Sequence, residues 1–221
     1  MTHTQNKGKE GALVRDLLRN DLTEEDLTLI KDLMAQKKLL VYPTETLYAL
    51  GCDPFSIKAI KHLIEVKGRP KTMPISIAVS DMSMMESVAY VNDFAQWIFE
   101  ELLPGPITIL LKKKEHVPQE LTGGSEKIGI RVPANPVAQK IIDYIGPMTA
   151  TSANIHGHPE PGNVMTAINQ LGNAVALYLD GGECVHKKPS TVVDITGKSA
   201  KIIRGGVLSE QEITKVLEKA L

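Results

Sequence analysis

Lys67-Gly68-Arg69-Pro70 follows Pro43-Thr44-Glu45-Thr46 by about two dozen residues, and the two segments together carry chemistry suited to polyanions. Gly68 and Pro70 give Lys67 and Arg69 a defined turn. A guanidinium offers bidentate contacts to phosphate and an ammonium offers a mobile point charge, so the pair suits a triphosphate. Lys58 and Lys61 lie in the same basic stretch, where a solvated helix face accounts for them. No Walker A or dinucleotide glycine pattern occurs in the sequence, so a nucleotide would be held by another route.

Other clusters follow. Thr149-Ala150-Thr151-Ser152-Ala153-Asn154 is a run of short side chains. It caps a turn in the ordinary reading, or leaves room for a ligand among hydroxyls and backbone donors. His156-Gly157-His158-Pro159 has no neighbouring cysteine or further histidine to make a metal site and reads as a surface loop. Ser190-Thr191-Val192-Val193-Asp194 places a serine at the mouth of a strand. A Ser-His-Asp triad is formally available, but the Gly-x-Ser-x-Gly elbow is missing. In Arg204-Gly205-Gly206 the glycines would let a phosphate approach the backbone.

The elements that must position these groups are legible from periodicity. Thr23-Glu24-Glu25-Asp26 starts a helix in which Leu27, Ile30, Leu33 and Met34 recur on one face. Leu39–Tyr42 is a buried strand ended by Pro43. A helix over 56–66 carries Ile57, Ile60, Leu63 and Ile64. Strands are predicted at 75–79, 107–111, 128–132, 148–151, 174–179, 191–195 and 201–203. Helices are predicted from Asp81, around 94–102, and over 134–144, 164–171 and 208–221. Interspersed helices and strands indicate an α/β or α+β class around a mixed sheet; eight regular barrel units do not fit this length.

Composition narrows the function. The chain has 221 residues, 43% of them hydrophobic, enough for one sizeable domain. We expect a frayed segment over 1–12 and a single domain over 13–221. A net charge of -1 and 4% aromatic content argue against a general nucleic-acid binder. Cys52 and Cys184 are far apart, which argues against a disulfide framework or zinc site. No apolar run approaches the roughly 20 residues that span a bilayer, and the polar start lacks a signal-peptide core. A cytoplasmic protein is expected.

Taken in order, Pro-Thr-Glu-Thr, Lys-Gly-Arg-Pro, Pro-Gly-Pro-x-Thr, Ile-Arg-Val-Pro, Ser-Ala-Asn, Ser-Thr-Val-Val-Asp and Arg-x-Gly make a specific pattern. It resembles the YrdC-like family of L-threonylcarbamoyladenylate synthases from about Thr23 to Val207. The resemblance implies a twisted α/β fold around a large concave basic cavity. It implies an enzyme joining L-threonine, bicarbonate and ATP, with magnesium, into threonylcarbamoyl-AMP and pyrophosphate for tRNA threonylcarbamoyladenosine modification. It assigns Thr46, Ala150 and Ser190 to L-threonine, and Lys67, Arg69, Thr108, Ser152, Asn154 and Arg204 to ATP. Lys67 and Arg69 are its catalytic cations, and Arg131 adds charge beneath the cavity. A protein metal site and a general base are left unassigned; Glu45 serves as a base or a cap equally well. The implied partners are tRNA and a downstream threonylcarbamoyl transferase complex.

Some positions depart from the family pattern: Met73 stands where Asn is frequent, Glu160 where Ser is, Ala49 where Gly is and Thr151 where Pro is. The extra C-terminal domain of longer members is expected to be absent after Leu221. Two rivals remain. One is a non-catalytic RNA-binding paralogue of the same fold, which the near-neutral charge disfavours. The other is carbamoyl transfer in metallocentre maturation, whose acylphosphatase and zinc modules do not appear here.

Overall fold

The computed structural model describes residues 6–7, 11–197 and 199–220. In chain order the elements are β1 (Asn6–Lys7), β2 (Leu13–Asp16), α1 (Glu24–Ala35), β3 (Leu40–Tyr42), β4 (Ala49–Gly51), α2 (Ile57–Lys67), β5 (Ser76–Ala78), α3 (Met82–Val88), β6 (Ala89–Tyr90) and α4 (Asp93–Leu102). There follow β7 (Ile107–Lys113), α5 (Gln119–Thr122), β8 (Lys127–Arg131), α6 (Pro136–Ile145), β9 (Met148–Ser152), α7 (Val164–Leu171), β10 (Leu177–Asp180), β11 (Thr191–Asp194), β12 (Lys201–Arg204) and α8 (Glu210–Leu217).

The strands form one mixed sheet in the order β1-β2-β10-β3-β4-β9-β5-β8-β7-β11-β12, with β6 beside β7. β10 runs parallel to both β2 and β3, as β5 does to β8 and β7 to β11. The other pairings are antiparallel. β9 joins the two halves: Ser152 and Thr151 pair with β4, and Ala150, Thr149 and Met148 with β5.

Local sequence explains the helix ends. Thr23 and Asp26 form a reciprocal capping box on α1. Ser56 caps α2, and Gly68, at φ 59 and ψ 30, ends it in the left-handed region that glycine adopts without penalty. Asp81, Asn92 and Asn135 cap α3, α4 and α6.

Side-chain alternation along the strands builds the layers. Val41, Ile77, Ile109, Ile130, Tyr178 and Val193 point to one face, where α2, α3, α4, α7 and α8 cover them in the larger core. Leu40, Tyr42, Ala78, Leu177 and Leu179 point to the other, under α1 and α6. Helices on both faces account for the unbroken apolar run at 39–42. The α1/α6 layer reaches Ala78 of β5 and Met148 of β9 but goes no further, so Ser76 of β5 and the opposite-parity residues of β8, β7 and β11 are left to line a cleft.

Several elements differ from the sequence expectation. Residues 48–51, where no strand is predicted, contain the central strand β4. It is too short for periodicity to reveal, and a side chain at Gly51 would come within 2.9 Å of the Tyr42 ring. β2, β6 and the one-turn α5, at four, two and four residues, are likewise too short. The strand expected at 174–179 lies at Leu177–Asp180, because Gly172–Ala174 form a 3-10 turn. The frayed start expected over 1–12 falls mostly outside the described residues. Within it, Asn6 and Lys7 pair with Val14 and Leu13, and Ala12 is buried.

Candidate active site

The open half of the sheet forms the floor of a cleft of about 400 Å³. Alternation supplies it: Thr108 and Leu110 from β7, Gly129 and Arg131 from β8, Ser76 from β5 and Val192 from β11 all line it. Their neighbours Ile109, Ile128, Ile130, Ile77 and Val193 fill the core behind. Gly129 keeps the floor low, since a β-carbon there would lie 2.5 Å from Ser76 Oγ and 3.2 Å from Thr108 Cγ2.

One wall comes from the Pro43–Tyr48 segment. Thr46 Oγ1 lies 2.9 Å from Thr44 Oγ1 and accepts from Arg131 Nη2 at 3.0 Å. The same Nη2 donates to Glu45 Oε1 at 2.6 Å, and Ala134 N donates to Glu45 Oε2 at 3.0 Å. Both Glu45 oxygens are thus bonded in a buried pair, so the carboxylate holds the wall and is not placed as a free base. Tyr48 anchors the segment's far end, its hydroxyl donating to Gly182 O at 2.7 Å and accepting from Gly181 N at 2.9 Å.

Cations stand at both ends of the floor, Arg69 beside β9 and β5 and Arg204 on the edge strand β12. Arg69 Nη1 donates to Thr151 Oγ1 at 3.0 Å and Nη2 to Pro74 O at 3.1 Å. Arg204 Nη2 donates to Ser190 O at 2.9 Å, and Ser190 Oγ lies 2.8 Å from Thr108 Oγ1. Partial burial lowers the titration of both guanidiniums; at Arg204 the Glu160 carboxylate opposes that effect and Arg131 adds to it. Buried Nε atoms of Arg69 and Arg131 have no partner among the described residues. Such donors suit an anionic ligand. Among the described residues Glu160 is the one acid of the lining, against Arg69, Arg131 and Arg204. The cleft is therefore concave and basic, although the whole chain is near neutral.

Of the residues singled out from sequence, the cleft brings together Thr46, Arg69, Thr108, Ala150, Ser152, Ser190, Arg204 and Arg131. Met73, Glu160 and Thr151 line it too. Lys67 and Asn154 are buried behind the wall and bonded to each other. The triad does not assemble: Asp194 is held by Lys127 at 2.6 Å and by Thr196, away from Ser190. Exposed His156 and His158 join no group of three or more potential ligands among the described residues. Sequence reading missed Ser76, Gly129 and Tyr48; the only signal for the first two is the strand alternation that sets Ser76 opposite to Ile77 and Gly129 opposite to Ile128 and Ile130.

The sequence model of the Sua5/YciO/YrdC family, described as telomere recombination, matches residues 32–206. The chain belongs to this family. A Methanocaldococcus jannaschii relative is 35% identical over 199 residues, 88% of this chain and 94% of its own length. A Pyrococcus abyssi Sua5/YciO/YrdC relative, named threonylcarbamoyl-AMP synthase, is 33% identical over 202 residues, covering 90% of this chain and 59% of that protein. The crystal structure of P. abyssi Sua5 complexed with L-threonine superposes with a TM-score of 0.88 at 32% identity, over 92% of this chain and 60% of that one. This chain thus spans about three-fifths of the P. abyssi protein. No helix among the described residues is long and apolar enough to cross a membrane.

Proposed function

We propose that this protein is a threonylcarbamoyl-AMP synthase, a nucleotidyltransferase joining L-threonine, bicarbonate and ATP with release of pyrophosphate. The observation that carries the reading is the cleft itself: a hydroxyl-rich floor lined by three arginines, Arg69, Arg131 and Arg204. An amino acid and a triphosphate ask for hydroxyls and cations of that kind. The P. abyssi relatives, one named for this activity and one complexed with L-threonine, support it.

In this reading Thr46, Ala150 and Ser190 hold L-threonine, with Arg131 against its carboxylate. The threonine amine takes up bicarbonate to give a carbamate and water. A carbamate oxygen then attacks the α-phosphorus as the bond to pyrophosphate breaks. The nucleophile belongs to the substrate, so the protein needs no activated serine or cysteine. Its work is positioning and charge stabilisation. Arg69 and Arg204 neutralise the phosphates, Thr108 and Ser152 orient the nucleotide, and Glu45 keeps Arg131 and Thr46 in register. Magnesium is proposed to arrive on the triphosphate, because the lining offers Glu160 alone as a carboxylate; bound there, it would offset phosphate charge.

The rival reading as a non-catalytic RNA-binding paralogue is not favoured, since the cleft's cations face inward among hydroxyls. Cytoplasmic location, a domain running over 13–221, and tRNA with a threonylcarbamoyl transferase complex as downstream partners belong to the same proposal. The test is pyrophosphate release from ATP, with threonine and bicarbonate omitted in turn. Release that needs both is the expected result. A folded protein that binds ATP and releases none would overturn the reading.

A further inference from the structure

Lys67 is a buried cation that the reading above leaves without work. It is the last residue of α2, and its side chain runs behind the cleft wall, 2% exposed. Nζ donates to Ser152 O, to Asn154 O at 2.8 Å and to Asn154 Oδ1 at 3.3 Å. Those acceptors use the full set of ammonium N–H donors and leave none for a phosphate. The turn is tied together around them. Ser152 Oγ donates to Asn154 Oδ1 at 2.6 Å, Asn154 Nδ2 to His158 O at 2.8 Å, and His156 N to the Lys67 carbonyl at 2.7 Å. Converging oxygens repel one another unless a donor sits between them, so the N–H groups at Lys67 Nζ are what allow this turn to close.

We infer that Lys67 is a positioning residue: it staples the Ser152–Asn154 turn to the end of α2 and so places the cleft wall on which Ser152 and the Thr151–Arg69 contact depend, and it does not grip the nucleotide. Lys67 and Arg69, two residues apart, thereby divide the labour. Arg69 faces the ligand, while Lys67 faces the protein. The same geometry accounts for Asn154, whose side chain is spent on Lys67, Ser152 and His158.

The test uses Lys67→Met in the full chain. Amide exchange at Asn154 and His156 is expected to accelerate by about tenfold or more, the loss of a hydrogen bond to a charged group, with little change elsewhere. The kinetic part rests on the synthase reading: kcat is expected to fall by roughly 100-fold, the cost of misplacing a reacting group. The KM for ATP is expected to change by less than about threefold, because no ground-state contact with ATP is lost. A KM for ATP raised tenfold or more, with exchange in the turn unaltered, would overturn the inference. Should the variant not fold, a crystal structure of the wild type with a non-hydrolysable ATP analogue decides. Nζ still on the Ser152 and Asn154 oxygens supports the staple; Nζ on a phosphate oxygen removes it. If the wild type releases no threonine-dependent pyrophosphate, the synthase reading fails, while exchange still decides the role of Lys67.

Discussion

Arg69 and Glu45 show how residue type and surroundings separate roles. Arg69 lines the cleft, its Nε unpartnered among the described residues, so Arg69→Ala should lower kcat/KM for adenylate formation by about 100-fold, the scale of losing one preorganised charge-stabilising group. Thermal unfolding of that variant should stay close to wild type, because only two hydrogen bonds to Thr151 and Pro74 are given up. Glu45 is the opposite case. Its carboxylate and the Arg131 guanidinium are buried together, with side chains 8% and 9% exposed. Glu45→Ala leaves Arg131 as an uncompensated buried charge and should cost about 3–5 kcal/mol in a urea titration. An unchanged urea midpoint in Glu45→Ala would show that the buried pair does not hold the wall.

At the scale of elements, the floor depends on one strand being narrow. Gly129 sits in β8 between Ser76 and Thr108, and a methyl there must displace Ser76 Oγ from 2.5 Å. Gly129→Ala should destabilise the fold by roughly 1–3 kcal/mol and weaken ligand binding together, an overpacking effect checked by thermal melting and ATP titration. Helix boundaries were legible where caps are strong, as at Thr23 and Asp81, because a capping side chain acts over a few residues. The arrangement around β4 was not. Ala49-Leu50-Gly51 carries too few residues for a period, and its central place is settled by pairing on one side with nearby β3 and on the other with β9, far along the chain.

Over the whole molecule, one buried group links stability to pH. Desolvation, and then the Arg69 charge, push Lys67 from its ordinary value of 10.5 down to about 7. The unfolded chain keeps that proton up to about pH 10.5, whereas the folded protein gives it up near pH 7. Between those values the unfolded state binds more protons, so stability should rise with pH, by at most about 1.4 kcal/mol per unit from this group. Below about pH 7 both states are protonated and the burial cost stands in full. Lys67→Met should remove this contribution to the slope in denaturant titrations run from pH 7 to pH 10. An unchanged slope would place the titration elsewhere.

The sequence by itself determined the chemistry on offer and most of the frame. Hydroxyl and arginine motifs, capping residues and apolar periodicity are local properties, written in residue type and spacing. Motif order was enough to point to the family before any geometry was known. Only the tertiary structure decided which groups face the cleft. Lys67 and Arg69 differ by two positions and carry the same sign, yet α2 ends between them, sending one ammonium into the carbonyls of the 152–154 turn and one guanidinium into the cleft. The near-neutral chain likewise holds a basic cavity, because the sign of a local field depends on which charges fold toward one another and not on their sum.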